Sequence, residues 1–261
     1  MAYKSKKSIK YLIPAVILTG AVFFFAFRNN KVVLAPEKTE TADTDNNIIQ
    51  ERTEDTPQAI IGEEIKNSEE EKIPDKIFVK VPFTSQAPFS VWDEKHEEAC
   101  EEASLVMIKY YLDNKPLDKN IAEKEIQEMI KFEIKKYGDY KDTDARETVK
   151  LASDFYGIKN LKVVYDFKAE DIKKYLAEKK PIIVPAAGRK LGNPNFTPPG
   201  PWYHNLVLVG YEGDTIITND PGTRKGAGYT YSIDVLYDAI HDFPGKPENI
   251  EKGRKAMIVV E

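Results

Sequence analysis

The stretch ACEEASLVMIKYY, residues 99–111, decides how the centre of this chain folds. Its apolar residues recur with helical spacing, and they are Ala103, Val106, Met107, Tyr110 and Tyr111. Apolar residues spaced in this way predict an amphipathic helix. Cys100, the only cysteine among the 261 residues, lies one turn before Ala103 on the same face. The sequence therefore places a single thiol in the N-terminal turn of a helix.

Further helices and strands are predicted on both sides of this helix. The predicted helices cover residues 120–136, 145–155 and 169–178, and Gly157 is placed to stop the second of them. Strands are predicted at 77–81, 161–165, 182–185, 206–211, 215–218 and 257–260, with a hairpin turn at Gly213 and Asp214. Because helices come first and strands cluster later, the predicted class is α+β, with helices packed on a mostly antiparallel sheet.

Charge divides the chain into three zones. Residues 1–36 carry a net charge of +6 and no acid, residues 37–73 carry -8, and the whole chain carries -5. This modest negative balance gives no reason to expect a nucleic acid partner. A single cysteine also excludes an intramolecular disulfide and a cysteine-rich metal site. No cofactor and no metal are expected.

The N-terminal zone has the features of a membrane anchor. Residues 11–27 form an uncharged apolar run of 17 residues, which follows four lysines. A run of about 17–25 apolar residues can span a bilayer as a helix, and flanking lysines keep their end of the helix in the cytoplasm. We therefore expect a cytoplasmic tail and transmembrane helix over residues 1–28 and an extracytoplasmic location for the rest of the chain.

A cleaved signal peptide is the alternative for this zone. Phe23, Phe24 and Phe25 occupy the place where cleavage requires small residues, which favours a retained anchor. Residues 29–75 are acidic, with scattered apolar residues and no sustained period, which is typical of a disordered linker. The folded domain is then predicted at residues 76–261.

Three polar residues besides Cys100 stand where thiol chemistry would need them. His204 opens the predicted strand HNLVLVGY, and Asp220 follows the next strand, so adjacent antiparallel strands would bring this carboxylate beside the imidazole. Gln86 precedes the cysteine helix, and its side-chain amide could join the Cys100 backbone N–H as an oxyanion donor. His96 with Cys100 could suggest a metal site, but two ligands alone are a weak signal.

Four segments, taken in order, resemble the C39-like peptidase family, a branch of the papain-like cysteine peptidases. They are VPFTSQAPFSVW at 81–92, ACEEASLVM at 99–107, WYHNLVLVGY at 202–211 and NDPGT at 219–223. The resemblance implies a papain-like fold for residues 76–261. By position it implies these roles: Cys100 as nucleophile, His204 as general base and acid, Asp220 as orienting carboxylate, Gln86 as oxyanion donor and Trp92 as part of the site wall.

One departure from the family pattern lies directly beside the nucleophile. Many members have glycine after the cysteine, whereas this chain has Glu101 and Glu102. Acids in the first helical turn suit the helix dipole, but a carboxylate close to a thiol opposes thiolate formation. Because the apolar face of the helix falls elsewhere, we expect Glu101 to point to solvent.

The sequence thus predicts a membrane-anchored, extracytoplasmic bacterial cysteine peptidase that acts on a peptide or protein substrate through a Cys-His-Asp triad and a thioester intermediate. Two alternatives stay open. One is a cell-wall amidase or endopeptidase, which the predicted location suggests. The other is a catalytically inactive papain-like domain that binds surface partners, which Glu101 and Glu102 suggest.

Overall fold

The computed structural model describes residues 73–261. The predicted anchor at 1–28 and most of the predicted linker at 29–75 lie outside the described residues. Within residues 73–261, no helix combines the length and the apolar character that crossing a membrane requires.

A sheet of seven strands forms the centre of the described part of the chain, residues 73–261. The strands are β1 (Lys76–Phe78), β2 (Leu161–Tyr165), β3 (Ile182–Ala187), β4 (Tyr203–Glu212), β5 (Thr215–Asn219), β6 (Ala227–Ser232) and β7 (Ala256–Val260). Their order is β2-β7-β3-β4-β5-β6, and β1 pairs with β4. Every pair in this sheet is antiparallel, so the predicted α+β class with an antiparallel sheet is confirmed.

Six α-helices lie within the same described range. They are α1 (Glu94–Glu97), α2 (Cys100–Leu112), α3 (Lys119–Lys136), α4 (Ala145–Leu151), α5 (Ala169–Ala177) and α6 (Ile233–Ala239). A π-helical turn, Ala152–Tyr156, continues α4 and ends at Gly157, whose φ of 73° is left-handed and favours glycine. Gly157 therefore stops this helix as predicted.

The helices form two layers, one on each face of the sheet. Val207 and Val209 of β4 join the core cluster of α2, α3 and α4, while Leu206 and Leu208 join the cluster of α5 and α6. This alternation follows from the two-residue period of a strand, and it buries β4 on both faces. The prediction of helices packed on the sheet did not specify this second layer, which α5 and α6 form.

Strand β4 is the element that positions the site. It begins at Tyr203, one residue before His204 and three before the predicted 206–211 stretch, because Tyr203, His204 and Asn205 pair with β3. At its other end it pairs with β1, where Gly210 is required since an added Cβ would clash with the backbone carbonyl oxygen of Ile77. Neither β6 nor α6 was predicted.

Candidate active site

Cys100 is the first residue of α2, and its side chain contacts β4. The residue is 5% exposed. The Cys100 Sγ donates a hydrogen bond to Glu101 Oε2 at 2.9 Å and accepts one from the Asn205 backbone N–H at 3.3 Å. Because Asn205 directly follows His204, the packing of α2 on β4 brings the thiol to the strand that carries the histidine.

His204 and Asp220 form a buried pair. The pairing of β4 with β5 brings His204 Nε2 within 2.7 Å of Asp220 Oδ1, and the two side chains are 2% and 0% exposed. Asp220 Oδ1 also accepts from the Gly222 N–H, and Asp220 Oδ2 accepts from the Tyr231 hydroxyl at 2.7 Å and from Asn193 Nδ2 at 3.2 Å. Asp220 is therefore surrounded by hydrogen-bond donors.

These donors decide the charge state of Asp220. Burial by itself would raise the pKa of Asp220, but His204 and the hydrogen bonds from Tyr231 and the Gly222 N–H hold it below its ordinary value. An ionised carboxylate at Nε2 fixes the orientation of an imidazole and stabilises the imidazolium form. The pair is thus arranged to orient His204 and to support a positive charge on its ring.

Neighbouring side chains hold the His204 ring in place. Phe196 packs against it edge-on, with the ring centroids 5.3 Å apart. Gly222 lies on the same ring, and a Cβ added there would come within 2.8 Å of His204 Cε1. Since Nε2 is bonded to Asp220, Nδ1 is the ring nitrogen left to exchange a proton with another group.

Gln86 is buried between the Asp220 turn and α1. Its backbone N–H donates to the Pro221 carbonyl at 3.0 Å. Its side-chain Nε2 donates to the carbonyls of His96 at 2.8 Å and Glu97 at 3.1 Å. A role for Gln86 as an oxyanion donor therefore requires one of these two bonds to be exchanged for a bond to substrate.

The other two histidines have structural contacts. The His96 ring lies between Asp93 and Glu123, with Nδ1 2.7 Å from Asp93 Oδ1 and Nε2 3.0 Å from Glu123 Oε2, so it ties α1 to α3. His241 Nδ1 lies 2.9 Å from the Gly253 carbonyl oxygen. Trp92, predicted for the site wall, is 40% exposed.

The prediction that Glu101 faces solvent is wrong. Glu101 is 2% exposed, and its Oε1 accepts a hydrogen bond from the Thr143 N–H at 2.9 Å. Glu102 is buried as well, on the side of Glu133 in α3. The physical reason is that α2 is surrounded by α3, by β4 and by the segment that precedes α4. Every residue in the first half of α2 is therefore buried, and not only the residues of one face.

The buried acidic groups around Cys100 change the pKa of its thiol. Burial and the neighbouring Glu101 raise the pKa of Cys100 well above its ordinary value, and the Asn205 N–H only partly opposes them. Burial also raises the pKa of Glu101, against the hydrogen bonds from Cys100 and Thr143. Both the burial and the contact with Glu101 thus favour the thiol form of Cys100 over the thiolate.

The donors to Asp220 and the thiol contact of Glu101 were not identified from the sequence. Asn193 and Tyr231 reach Asp220 from a loop and from β6, which are 27 and 11 residues away along the chain. No spacing rule connects such segments. The acidic pair after Cys100 was itself the available signal for the Glu101 contact.

A helix-borne cysteine close to a strand with a buried histidine–aspartate pair is an arrangement found in papain-like cysteine peptidases, among other folds. The sequence matches the Peptidase_C39 like family over residues 78–243, and the chain belongs to this family. The predicted family resemblance is thereby confirmed. Among solved structures, a protein from Bacillus anthracis described as a C39-like peptidase aligns with a TM-score of 0.44 and 16% identity, over 71% of this chain and 98% of that one. No curated protein matches the chain.

Proposed function

We propose that this chain is a cysteine peptidase that hydrolyses peptide bonds with Cys100 as nucleophile, His204 as general base and acid, and Asp220 as the carboxylate that orients His204. The observation that carries this proposal is the buried pair of His204 and Asp220, whose Nε2 and Oδ1 atoms are 2.7 Å apart. The residue after His204 on β4, Asn205, contacts Cys100 Sγ through its backbone N–H at 3.3 Å. Membership of the C39-like family supports it.

The proposed reaction follows the chemistry of these groups. His204 Nδ1 takes the proton of the Cys100 thiol as Sγ attacks the peptide carbonyl carbon, while Asp220 stabilises the imidazolium through Nε2. A backbone N–H at the start of α2 and the side-chain amide of Gln86 hold the oxyanion. His204 then protonates the leaving amine, and water hydrolyses the thioester with His204 again acting as base.

The experiment that tests this proposal compares the full chain with its Cys100→Ser variant on a mixture of peptides, with new amino termini identified by mass spectrometry. We expect cleavage by the wild type and a loss of about 10⁴-fold or more in the variant, as for other nucleophile substitutions. Cleavage that persists in Cys100→Ser would exclude Cys100 as the nucleophile.

A domain that binds partners without hydrolysis is the second candidate, and the Glu101 contact favours it because a carboxyl group at 2.9 Å from Sγ opposes the thiolate. The same peptide mixture separates the two functions. Turnover that disappears in Cys100→Ser rejects the binding domain, whereas retention of a peptide without cleavage supports it.

We further propose that the chain is retained in the membrane by residues 1–28, with residues 76–261 outside the cytoplasm. The apolar run at 11–27 and the lysines before it support this arrangement. Sequencing of the mature N-terminus tests the proposal, together with protease digestion of intact cells. An N-terminus near residue 36 would replace the anchor with a cleaved signal.

A further inference from the structure

The Cys100 thiol is part of a closed ring of hydrogen bonds. Cys100 Sγ donates to Glu101 Oε2 at 2.9 Å, and Glu101 Oε1 accepts from the Thr143 N–H at 2.9 Å. The Thr143 carbonyl accepts from the Tyr203 hydroxyl at 2.6 Å, and this hydroxyl accepts from Asn205 Nδ2 at 2.8 Å. The Asn205 N–H returns to Cys100 Sγ at 3.3 Å.

The ring joins three separate elements in a nearly dry place. Glu101, Tyr203 and Asn205 are 2%, 5% and 1% exposed. Each member therefore depends on the next for a hydrogen bond that water does not replace, and an unmade bond at a buried polar group is destabilising. The backbone N–H groups of Thr143 and Asn205 can only donate, which fixes the direction of those two bonds. The bond between Cys100 and Glu101 runs from sulfur to carboxylate when Glu101 is ionised.

This direction assigns the proton of the thiol. Glu101 Oε1 is already turned to the Thr143 N–H, so Oε2 needs a donor, and the only donor to it among residues 73–261 is the Cys100 S–H. Removal of that proton would place a thiolate 2.9 Å from a carboxylate. Two negative charges at such a distance in a buried site strongly disfavour each other.

We propose that Glu101 is a positioning residue that holds Cys100 as a hydrogen-bonded thiol in the resting site, so that Sγ loses its proton to His204 during the attack on substrate rather than in a preformed thiolate–imidazolium pair. The second half of this statement rests on the proposed peptidase function. The first half concerns the resting protein alone. It makes the thiol a nucleophile that is activated by general-base catalysis in each turnover.

Other titratable groups face Cys100 and Glu101 from each neighbouring element. They are Glu102 on α2, Glu133 on α3, Asp142 in the segment before α4, and Tyr203 and His204 on β4. Of these, only His204 can carry a positive charge, and its Nε2 is directed at Asp220. The acidic groups act in the same direction as Glu101, and Glu101 is the one in hydrogen-bond contact with Sγ.

The test is the pH dependence of the reaction of iodoacetamide with the full chain. Cys100 is the only cysteine, so the modified mass reports this site without background. The wild type is compared with Glu101→Gln, in which the amide oxygen still accepts from the Thr143 N–H while the amide nitrogen becomes a donor to sulfur. Glu102→Gln is the matched control, because it removes a neighbouring buried carboxyl group that does not contact Sγ.

We expect the midpoint of the wild-type profile to lie well above neutral pH, and Glu101→Gln to lower it by more than one pH unit. One unit corresponds to about a tenfold faster reaction at a neutral pH below both midpoints. Glu102→Gln is expected to shift the midpoint much less. A wild-type midpoint below neutral pH overturns the proposal, as does a Glu101→Gln midpoint that is unchanged or higher.

A second measurement does not depend on the folding of the Glu101 variant. The ultraviolet absorbance of the thiolate is recorded as the difference between the wild type and Cys100→Ser during a pH titration. Its absence at neutral pH supports the protonated resting thiol, and its presence overturns it. Neither readout uses a substrate, so a failure of peptide cleavage would overturn the proposed function and leave the result on Glu101 standing.

Discussion

Two buried carboxyl groups, Asp220 in contact with His204 and Glu101 in contact with Cys100, have pKa shifts in opposite directions. Asp220 is 0% exposed and has a lowered pKa, while Glu101 is 2% exposed and has a raised pKa. The difference lies in their partners. Asp220 faces an imidazole, a hydroxyl, an amide and a backbone N–H, whereas Glu101 has one backbone N–H, a weak contact with a hydroxyl and a thiol. Burial alone therefore does not set the charge of a carboxyl group.

The largest effect, on the rate of peptide cleavage, is expected from a substitution of Asp220, the carboxyl group with many hydrogen-bond donors. Asp220→Asn keeps the size of the side chain but removes the charge that orients His204 and stabilises its imidazolium form. We expect kcat for peptide cleavage to fall by about 10⁴-fold with little change in KM. Steady-state kinetics on a peptide identified in the cleavage experiment measure this. A loss of less than tenfold would show that another group orients the ring.

A smaller effect, on the pH dependence of stability, is expected from Glu102 and Glu133, which are buried near Glu101 and have raised pKa values. Burial raises the pKa of Glu133 to about 8, and burial together with Glu133 raises the pKa of Glu102. The folded protein thus binds more protons than the unfolded chain. The stabilising effect of these protons is complete below the ordinary glutamate pKa and is lost as the pH rises through about 8.

We therefore expect the free energy of unfolding of the wild type to fall by a few kcal/mol between mildly acidic and alkaline pH. In Glu133→Gln this decrease should be smaller, because one titrating group is gone. Urea unfolding at several pH values measures it. The control is Glu128→Gln, an exposed position on the same helix, which should follow the wild type. Equal slopes for Glu133→Gln and the wild type would contradict the interpretation.

The smallest effect, on the free energy of unfolding, is expected when one hydrogen-bond donor to Asp220 is removed. Tyr231→Phe deletes the hydroxyl that donates to Asp220 Oδ2 at 2.7 Å and leaves Asn193 as the remaining partner of that oxygen. Loss of one buried hydrogen bond to a charged group should lower the free energy of unfolding by about 1.5–3 kcal/mol. Denaturant unfolding at neutral pH provides the value, and Tyr229→Phe on the same strand is the control. Similar losses in both variants would assign the effect to packing.

Much of the frame could be predicted from the sequence, because it depends on local patterns. The spacing of apolar residues placed α2, and the predicted strand at residues 161–165 coincides with β2. The hairpin at Gly213 and Asp214 made β4 and β5 neighbours, and this adjacency was enough to expect His204 near Asp220. Patterns with a period of two or near four residues were therefore reliable guides here.

The surroundings of the site could not be predicted in the same way. Apolar spacing identifies one buried face of a helix, but it does not show whether the other faces are buried too. The burial of Glu101 and Glu102 depends on how many elements surround α2. In β6, AGYTYS, only Tyr229 and Tyr231 alternate with polar residues, which is too short a pattern to predict a strand, so the donor Tyr231 had no predicted position. Contacts between distant segments, rather than local propensity, set the charge states at this site.

The ring of hydrogen bonds around Cys100 also bears on oxidation. Peroxides attack the thiolate far faster than the thiol, and a sulfenic acid is rescued when a second cysteine captures it as a disulfide. This sequence offers no second cysteine. Cys100 is 5% exposed and its thiol is hydrogen-bonded to Glu101, so the residue is shielded from oxidation rather than repaired after it. In the proposed peptidase, a carboxyl group that slows the thiol as a nucleophile would thus also slow its loss to oxidation.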